Sequence, residues 1–374
     1  MLKFIEAVLI LSGMIIGVGM FSIPFSFVRS GFWLGATELL FLTAVITVFH
    51  LLYGEIVLKT EGLHRLPGYV RLYLGERAAL VAWLSAFGGI LGTLLVYLIV
   101  GSVFLESSLR YFGLSYEENF LVMVLALLGA LVTLFSLKKE AFINGILTAL
   151  LISFIVFLSL SLFPKINPSN LTGFNAREVF FPYGILLFAL SGGVVIPDLV
   201  TLFGKDRRYV RPAIITGTLV PALLYFIFSL AVVGSSGSAT SPEAIAGLKG
   251  LNGEAVLFVG SLIGLTAVFT SLIVLEKSFQ ALLVLDLGFS KLVAWVGASF
   301  GALVLYFFGL NDFIAVIGAV GALAVGVDSA LIIAAHKRAV FGEGFHFPWV
   351  SLLWRMFLYA LILAGVIYEL AFVL

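Results

Sequence analysis

A succession of apolar runs of membrane length constrains this chain more than any other feature. A spanning helix needs roughly 20 mostly apolar residues, because lipid offers no partner for an open backbone. Runs that meet this rule occupy 4–28, 33–58, 79–105, 120–137, 141–163, 178–203, 210–234, 254–283, 290–308, 312–336 and 349–373. They predict an all-α polytopic membrane protein with eleven transmembrane helices. Composition agrees, with 62% hydrophobic residues and only 11% charged, where soluble domains hold about 25% charged. The first run is too long for a cleavable signal, and no small-residue cleavage site follows it.

The same composition removes several function classes. A net charge of +1 gives no electrostatic case for nucleic acid. The absence of cysteine excludes disulfides, thiolate metal sites and cysteine nucleophiles. His50, His64, His336 and His346 show no metal-ligand spacing, so a membrane enzyme lacks a catalytic constellation. A channel would show repeated filter motifs or charge rings, and none is present.

Charge sets the expected orientation. With the N-terminus in the cytoplasm, 16 of the 21 lysines and arginines fall on the cytoplasmic side and 5 outside, as the positive-inside rule requires. An odd number of spans then puts the C-terminus outside. Residues 59–78 are basic and amphipathic and are expected along the cytoplasmic surface. Residues 235–253 are polar and Gly/Ser-rich and are expected to form a flexible outer loop.

Within this frame the stretch SGMIIGVGMFSIP, residues 12–24, stands out. Gly13, Gly17 and Gly19 interrupt an apolar run, and Pro24 follows. Gly costs backbone entropy in a helix and Pro lacks a donor. Such residues serve either close helix packing or a deliberate break that lines a cavity. The sixth run decides between them. Ser191, Gly192 and Gly193 make a second weak point, followed by Pro197, 174 positions after the first. The runs holding the two breaks begin at Phe4 and Glu178, also 174 apart. Five runs per half invert the second half across the membrane. Residues 1–163 and 178–337 therefore read as inverted five-helix repeats, with 338–374 an additional eleventh helix. Paired interrupted helices in two halves point to a transporter binding site. Half-helix N-termini suit a carboxylate, and half-helix C-termini and unwound carbonyls suit a cation. A zwitterionic amino acid can use both.

Three stretches carry a family resemblance. SGMIIGVGMFSIPFSFVRSGFWLG resembles the first helix of amino-acid permeases of the amino acid/auxin permease type, closest to the bacterial tryptophan/tyrosine branch. FALSGGVVIPDLVTLFGKDRRYVRPAIITGTLVPALLYF is similar to their sixth and seventh helices, and LTAVFTSLIV to their eighth. The resemblance implies a leucine-transporter-like 5+5 inverted repeat, alternating access and symport of amino acids. An ungated facilitator or channel is the alternative.

The resemblance also implies site residues. The backbone of Ile16, Gly17, Val18 and Gly19 faces Ala189, Ser191, Gly192 and Gly193 across the substrate. Tyr97, Phe188, Phe269 and Met20 are candidates for its walls. Ala267, Thr270 and Ser271 share one face of the eighth helix by their i, i+3, i+4 spacing. In this fold that face meets the first helix, so with the carbonyls of Gly13 and Ile16 it could form an oxygen cage for Na⁺. Thr and Ser could instead bond their own backbone. Proton coupling competes with Na⁺. Some relatives use a fifth-helix lysine, but 141–163 has no lysine or arginine. Glu55, Asp198 and Asp328 remain as proton-coupling carboxylates, since ionisable groups within spans are costly. Glu276 and Lys277, adjacent on one helix, are each expected to pair with another helix. Arg29 and Asp312 are expected as an outer gate pair.

Overall fold

The computed structural model describes residues 2–135, 140–204, 206–250, 253–285, 287–340 and 352–372. Lys138, Lys139 and Lys205, which entered the charge reading, and His346 lie outside them. Helices fill the apolar runs: α1 (Leu2–Ile15), α2 (Ile23–Ser30), α3 (Phe32–Lys59), α4 (Leu66–Leu74), α5 (Glu76–Arg110), α6 (Glu118–Thr133), α7 (Glu140–Leu162), α8 (Phe181–Leu190), α9 (Ile196–Phe203), α10 (Val210–Ser236), α11 (Glu254–Leu285), α12 (Lys291–Phe307), α13 (Phe313–Ala319), α14 (Gly326–Ala339) and α15 (Leu352–Phe372). Among the described residues, seven helical spans are long and apolar enough to cross a membrane, or eight when the bent pair at the N-terminus counts as one.

Two contacting groups organise the bundle. The broken helices α1–α2 and α8–α9 pack with α3 and α10, while α5, α6, α11 and α12 pack with one another; α7 lies between α10 and α11. The α13–α14 segment lies against α5 and α8. It is joined by one π-helical stretch, Val320–Val325. That stretch leaves backbone groups out of the regular ladder, as such bulges often do at functional positions. Ser85 on α5 sits beside it, its one hydroxyl proton within reach of both the Ala324 carbonyl at 3.1 Å and the Asp328 carboxylate at 2.8 Å.

Glycine allows two tight passages. Gly31 turns α2 into α3 at φ +105°, and a β-carbon there would strike the Gly173 carbonyl. Gly184 of α8 crosses the other helix at Gly318 and Gly321 with backbone against backbone.

The basic segment after α3 contains α4. Its apolar face buries Pro67, Tyr69 and Val70 against α5 and α14. The loop after α10 differs from expectation. Its described residues up to 250 are packed: Ala244, Ile245 and Leu248 are buried. Buried Glu243 accepts from the Ser241 hydroxyl and the Ala246 amide. Composition suggested flexibility, but three apolar residues and one capping carboxylate tie the loop down.

Candidate functional site

The two chain breaks are built alike. α1 ends at Ile15, Gly17 is extended (φ −144°, ψ −158°), and a 3-10 turn over Val18–Ser22 leads into α2. The chain bends by 53° there. α8 ends at Leu190, Ser191 and Gly192 leave the helix, and a 3-10 turn over Gly193–Val195 leads into α9. Both outgoing helices begin Ile-Pro. Proline is tolerated there because the first amides of a helix have no partner within it. The terminal carbonyls of α1 and α8 and the first amides of the two turns are thereby freed.

The breaks face each other. A β-carbon on Gly19 would lie 2.9 Å from the Ala189 Cα and 3.0 Å from the Phe188 ring. One on Gly192 would lie 2.7 Å from Ile15 and 2.8 Å from Leu11. By contrast, β-carbons on Gly13, Gly17 and Gly193 would meet nothing within 4 Å. Met14 and Val194 are 45% and 56% exposed beside this open side. The other side is shut. Phe21 packs edge-on to Phe104 of α5 at 5.0 Å and to Phe228 of α10 at 6.3 Å. A β-carbon on Gly264 of α11 would touch the same Phe104 ring at 2.8 Å.

Tyr225 ties the breaks together. Its buried hydroxyl lies 2.6 Å from the carbonyl of Ile15 and 3.0 Å from that of Ala189. These are the spare carbonyls at the ends of α1 and α8. Ser12 adds a second tie from α1 to α10 through the Gly217 carbonyl, 3.0 Å away. Sequence reading missed Tyr225. The signal was a lone tyrosine deep in an apolar run, since a buried phenol usually has a partner.

The remaining candidates divide. Ile16, Val18 and Met20 are buried, so it is their backbone that lies at the break. Tyr97 and Phe269 are partly buried against the core. The Thr270 hydroxyl bonds back to Thr266 and Ala267, at 3.0 and 3.1 Å. α11 packs chiefly on α5, α7, α12 and α6, and α1 chiefly on α10 and α9.

Among the carboxylates, Glu55 is buried and held from two sides. Arg211 of α10 donates to one oxygen at 2.6 Å, and the Nε2 of His336 on α14 lies 2.7 Å from the other. His336 was read only as lacking metal-ligand spacing; the fold makes it the partner of Glu55. Asp328 accepts from Ser85 at 2.8 Å, beside the π-helical stretch. Asp198 lies within the Phe181–Phe203 span, but at the outside of the bundle. It is 43% exposed and paired with Arg65 at 2.7 Å, because α9 delivers it to the bundle surface. Glu276 and Lys277 do part, Glu276 toward Ser299 of α12 and Lys277 to the Phe135 carbonyl at 2.9 Å. The expected Arg29–Asp312 gate is absent. Arg29 pairs with Glu178 at 2.6 Å and lies over the Phe181 ring, while Asp312 caps α13 through the Ala315 amide at 2.8 Å.

Comparison with known proteins bears on this arrangement. Glutamine transporter 2 of Aliivibrio fischeri is 22% identical, over 90% of this chain and 90% of its own length. The tryptophan-specific transport protein of Pseudomonas aeruginosa is 27% identical, over 61% of this chain and 56% of its own. Among solved structures, MhsT in complex with L-phenylalanine matches with a TM-score of 0.62 at 13% identity, covering 99% of this chain and 97% of that one. At that identity the likeness speaks for the fold. The model of the tryptophan/tyrosine permease family matches residues 1–289, a span that takes in both breaks, Tyr225 and all of α11. The chain belongs to the tryptophan/tyrosine permease family.

Proposed function

We propose that this protein is a secondary active transporter that carries amino acids across the cell membrane by alternating access. The observation that carries this reading is the pair of chain breaks set face to face and tied by Tyr225. Their spare amides and carbonyls match the two charged ends of an amino acid. The relatives named as glutamine and tryptophan transporters, and the phenylalanine-bound neighbour, support the substrate class.

The fuller reading has eleven spans in a leucine-transporter-like fold. Residues 1–163 and 178–337 form inverted repeats, and the last helix stands outside them. The N-terminus lies in the cytoplasm and the C-terminus outside. In that orientation, the open side at Gly13, Gly17 and Gly193 faces the cytoplasm. The Phe21–Phe104–Phe228 cluster closes the outer path, so the described state is inward-facing. The substrate lies between Ile16–Met20 and Phe188–Gly193, walled by Tyr97 and Phe269.

Two coupling ions fit. Na⁺ would take the carbonyls of Gly13, Ile16 and Ala267 with the hydroxyls of Thr270 and Ser271. In the inward-facing state Thr270 turns back to its own helix, which suits an ion site that forms only when α1 swings toward α11. A proton would instead use Glu55 or Asp328, both held by hydrogen bonds inside the bundle. Reconstitution tests the reading. Labelled amino acid should accumulate in proteoliposomes only under an imposed Na⁺ or H⁺ gradient. Equilibration without accumulation would mean a facilitator, and no uptake under either gradient would refute transport. Should Na⁺ be the ion, Thr270→Ala with Ser271→Ala should abolish Na⁺-dependent thermal stabilisation; stabilisation that survives the double substitution would disprove the cage.

A further inference from the structure

A cavity of about 580 Å³ opens where α4, α14 and α15 meet, away from the chain breaks. Its walls are apolar, from Leu74, Ile333 and Met356, and its charged groups are Lys337, Arg338 and Arg355. No acidic side chain lines it among the described residues. Arg338 spends one N–H on the Tyr73 carbonyl at 3.0 Å. The Nε of Arg355 is buried and has no hydrogen-bond partner among the described residues. The cavity gathers three cations and, among the described residues, no carboxylate to balance them, which calls for an anion. Met356 is 59% exposed at the same place, where an apolar chain could lie.

We infer that this cavity seats an anionic phospholipid of the cytoplasmic leaflet. Lys337, Arg338 and Arg355 hold its phosphate, and its acyl chains run along Met356 and the flank of α15. Guanidinium groups match phosphate oxygens in geometry and charge. Basic pockets between helices on the cytoplasmic side collect such headgroups. A free phosphate would satisfy the cations but leave the apolar walls uncovered. The leaflet rests on the orientation proposed above. The binding itself does not, because it is measured on the purified chain without any transport assay.

The test uses the full chain in nanodiscs of phosphatidylcholine with increasing phosphatidylglycerol, read by thermal unfolding and by native mass spectrometry of retained lipid. Phosphatidylglycerol should raise the melting temperature of the wild type, and K337Q/R355Q should weaken its apparent affinity at least tenfold. A control, K3Q/K291Q, removes two exposed cations elsewhere and should bind as the wild type does. Equal weakening of the control would mean diffuse attraction and overturn the site. Equal stabilisation by inorganic phosphate would overturn the lipid as occupant. A wild type that melts alike in both lipids, with R355Q destabilised alike in both, would mean that another part of this chain covers the cavity. Finally, Val340→Cys should react with a membrane-impermeant maleimide only from the cytoplasmic side; reaction from outside would overturn the leaflet.

Discussion

Tyr225 has one proton to give and two carbonyl oxygens within reach of it. The phenol therefore serves the ends of α1 and α8 by turns or by sharing. Tyr225→Phe keeps the ring and removes the donor, leaving buried carbonyls unpartnered. The expected loss is about 1–3 kcal/mol of stability, measured by thermal or denaturant unfolding, with slower substrate uptake at unchanged expression. Stability equal to wild type would show that the tie carries no energy. Glu55 poses a related question, because its two oxygens face a guanidinium and an imidazole. Glu55→Gln should preserve the contact to Arg211 more poorly than the carboxylate does. If the proton is the coupling ion at this position, uptake by the variant should no longer respond to an imposed pH gradient.

At the scale of elements, the two breaks were legible in the sequence because Gly and Pro are local and their physics is local. The same holds for α4, whose amphipathic pattern survives in the fold. What was not legible depends on where a helix is delivered. Asp198 was readable as a carboxylate within a span, but its partner Arg65, 133 positions away, was not. Arg29 and Asp312 share an expected end of the bundle, but Glu178 lies nearer to Arg29 and the Ala315 amide takes Asp312. His336 and Glu55 are 281 positions apart, so only tertiary structure could introduce them. The π-helical stretch between α13 and α14 likewise has no local signature in GALAV. Asp328→Asn tests the neighbouring element. It keeps a hydrogen-bond acceptor for Ser85 but cannot ionise, so a proton-coupled transporter that uses it should bind substrate yet fail to accumulate it.

For the whole molecule, the chain's lack of cysteine makes accessibility direct to measure. Single cysteines at Met14 and Val194 should be modified rapidly by a water-soluble maleimide applied from the cytoplasmic side, and substrate should slow both. A cysteine at Phe21, which is buried in the aromatic cluster, should resist until the outer path opens. Rapid labelling of Met14→Cys from outside would contradict the inward-facing assignment. Each aromatic pair of that cluster contributes about 0.5–1.5 kcal/mol to holding the closed arrangement.

The crossing of α8 over the π-helical segment has one more consequence. Between Gly184 and the pair Gly318 and Gly321 there are no side chains to interlock, and interlocked side chains are what make most helix contacts ratchet from one register to the next. Bare backbone has no teeth, so α8, whose Gly184 carbonyl and Phe188 amide both lie on Gly321, is expected to shift at this crossing more freely than an interlocked pair of helices would. Gly184→Ala fits a helix well by propensity but would drive a methyl group into the Gly318 carbonyl. The expected result is a protein that still binds its amino acid and turns over far more slowly, read as a fall in uptake rate with little change in binding affinity.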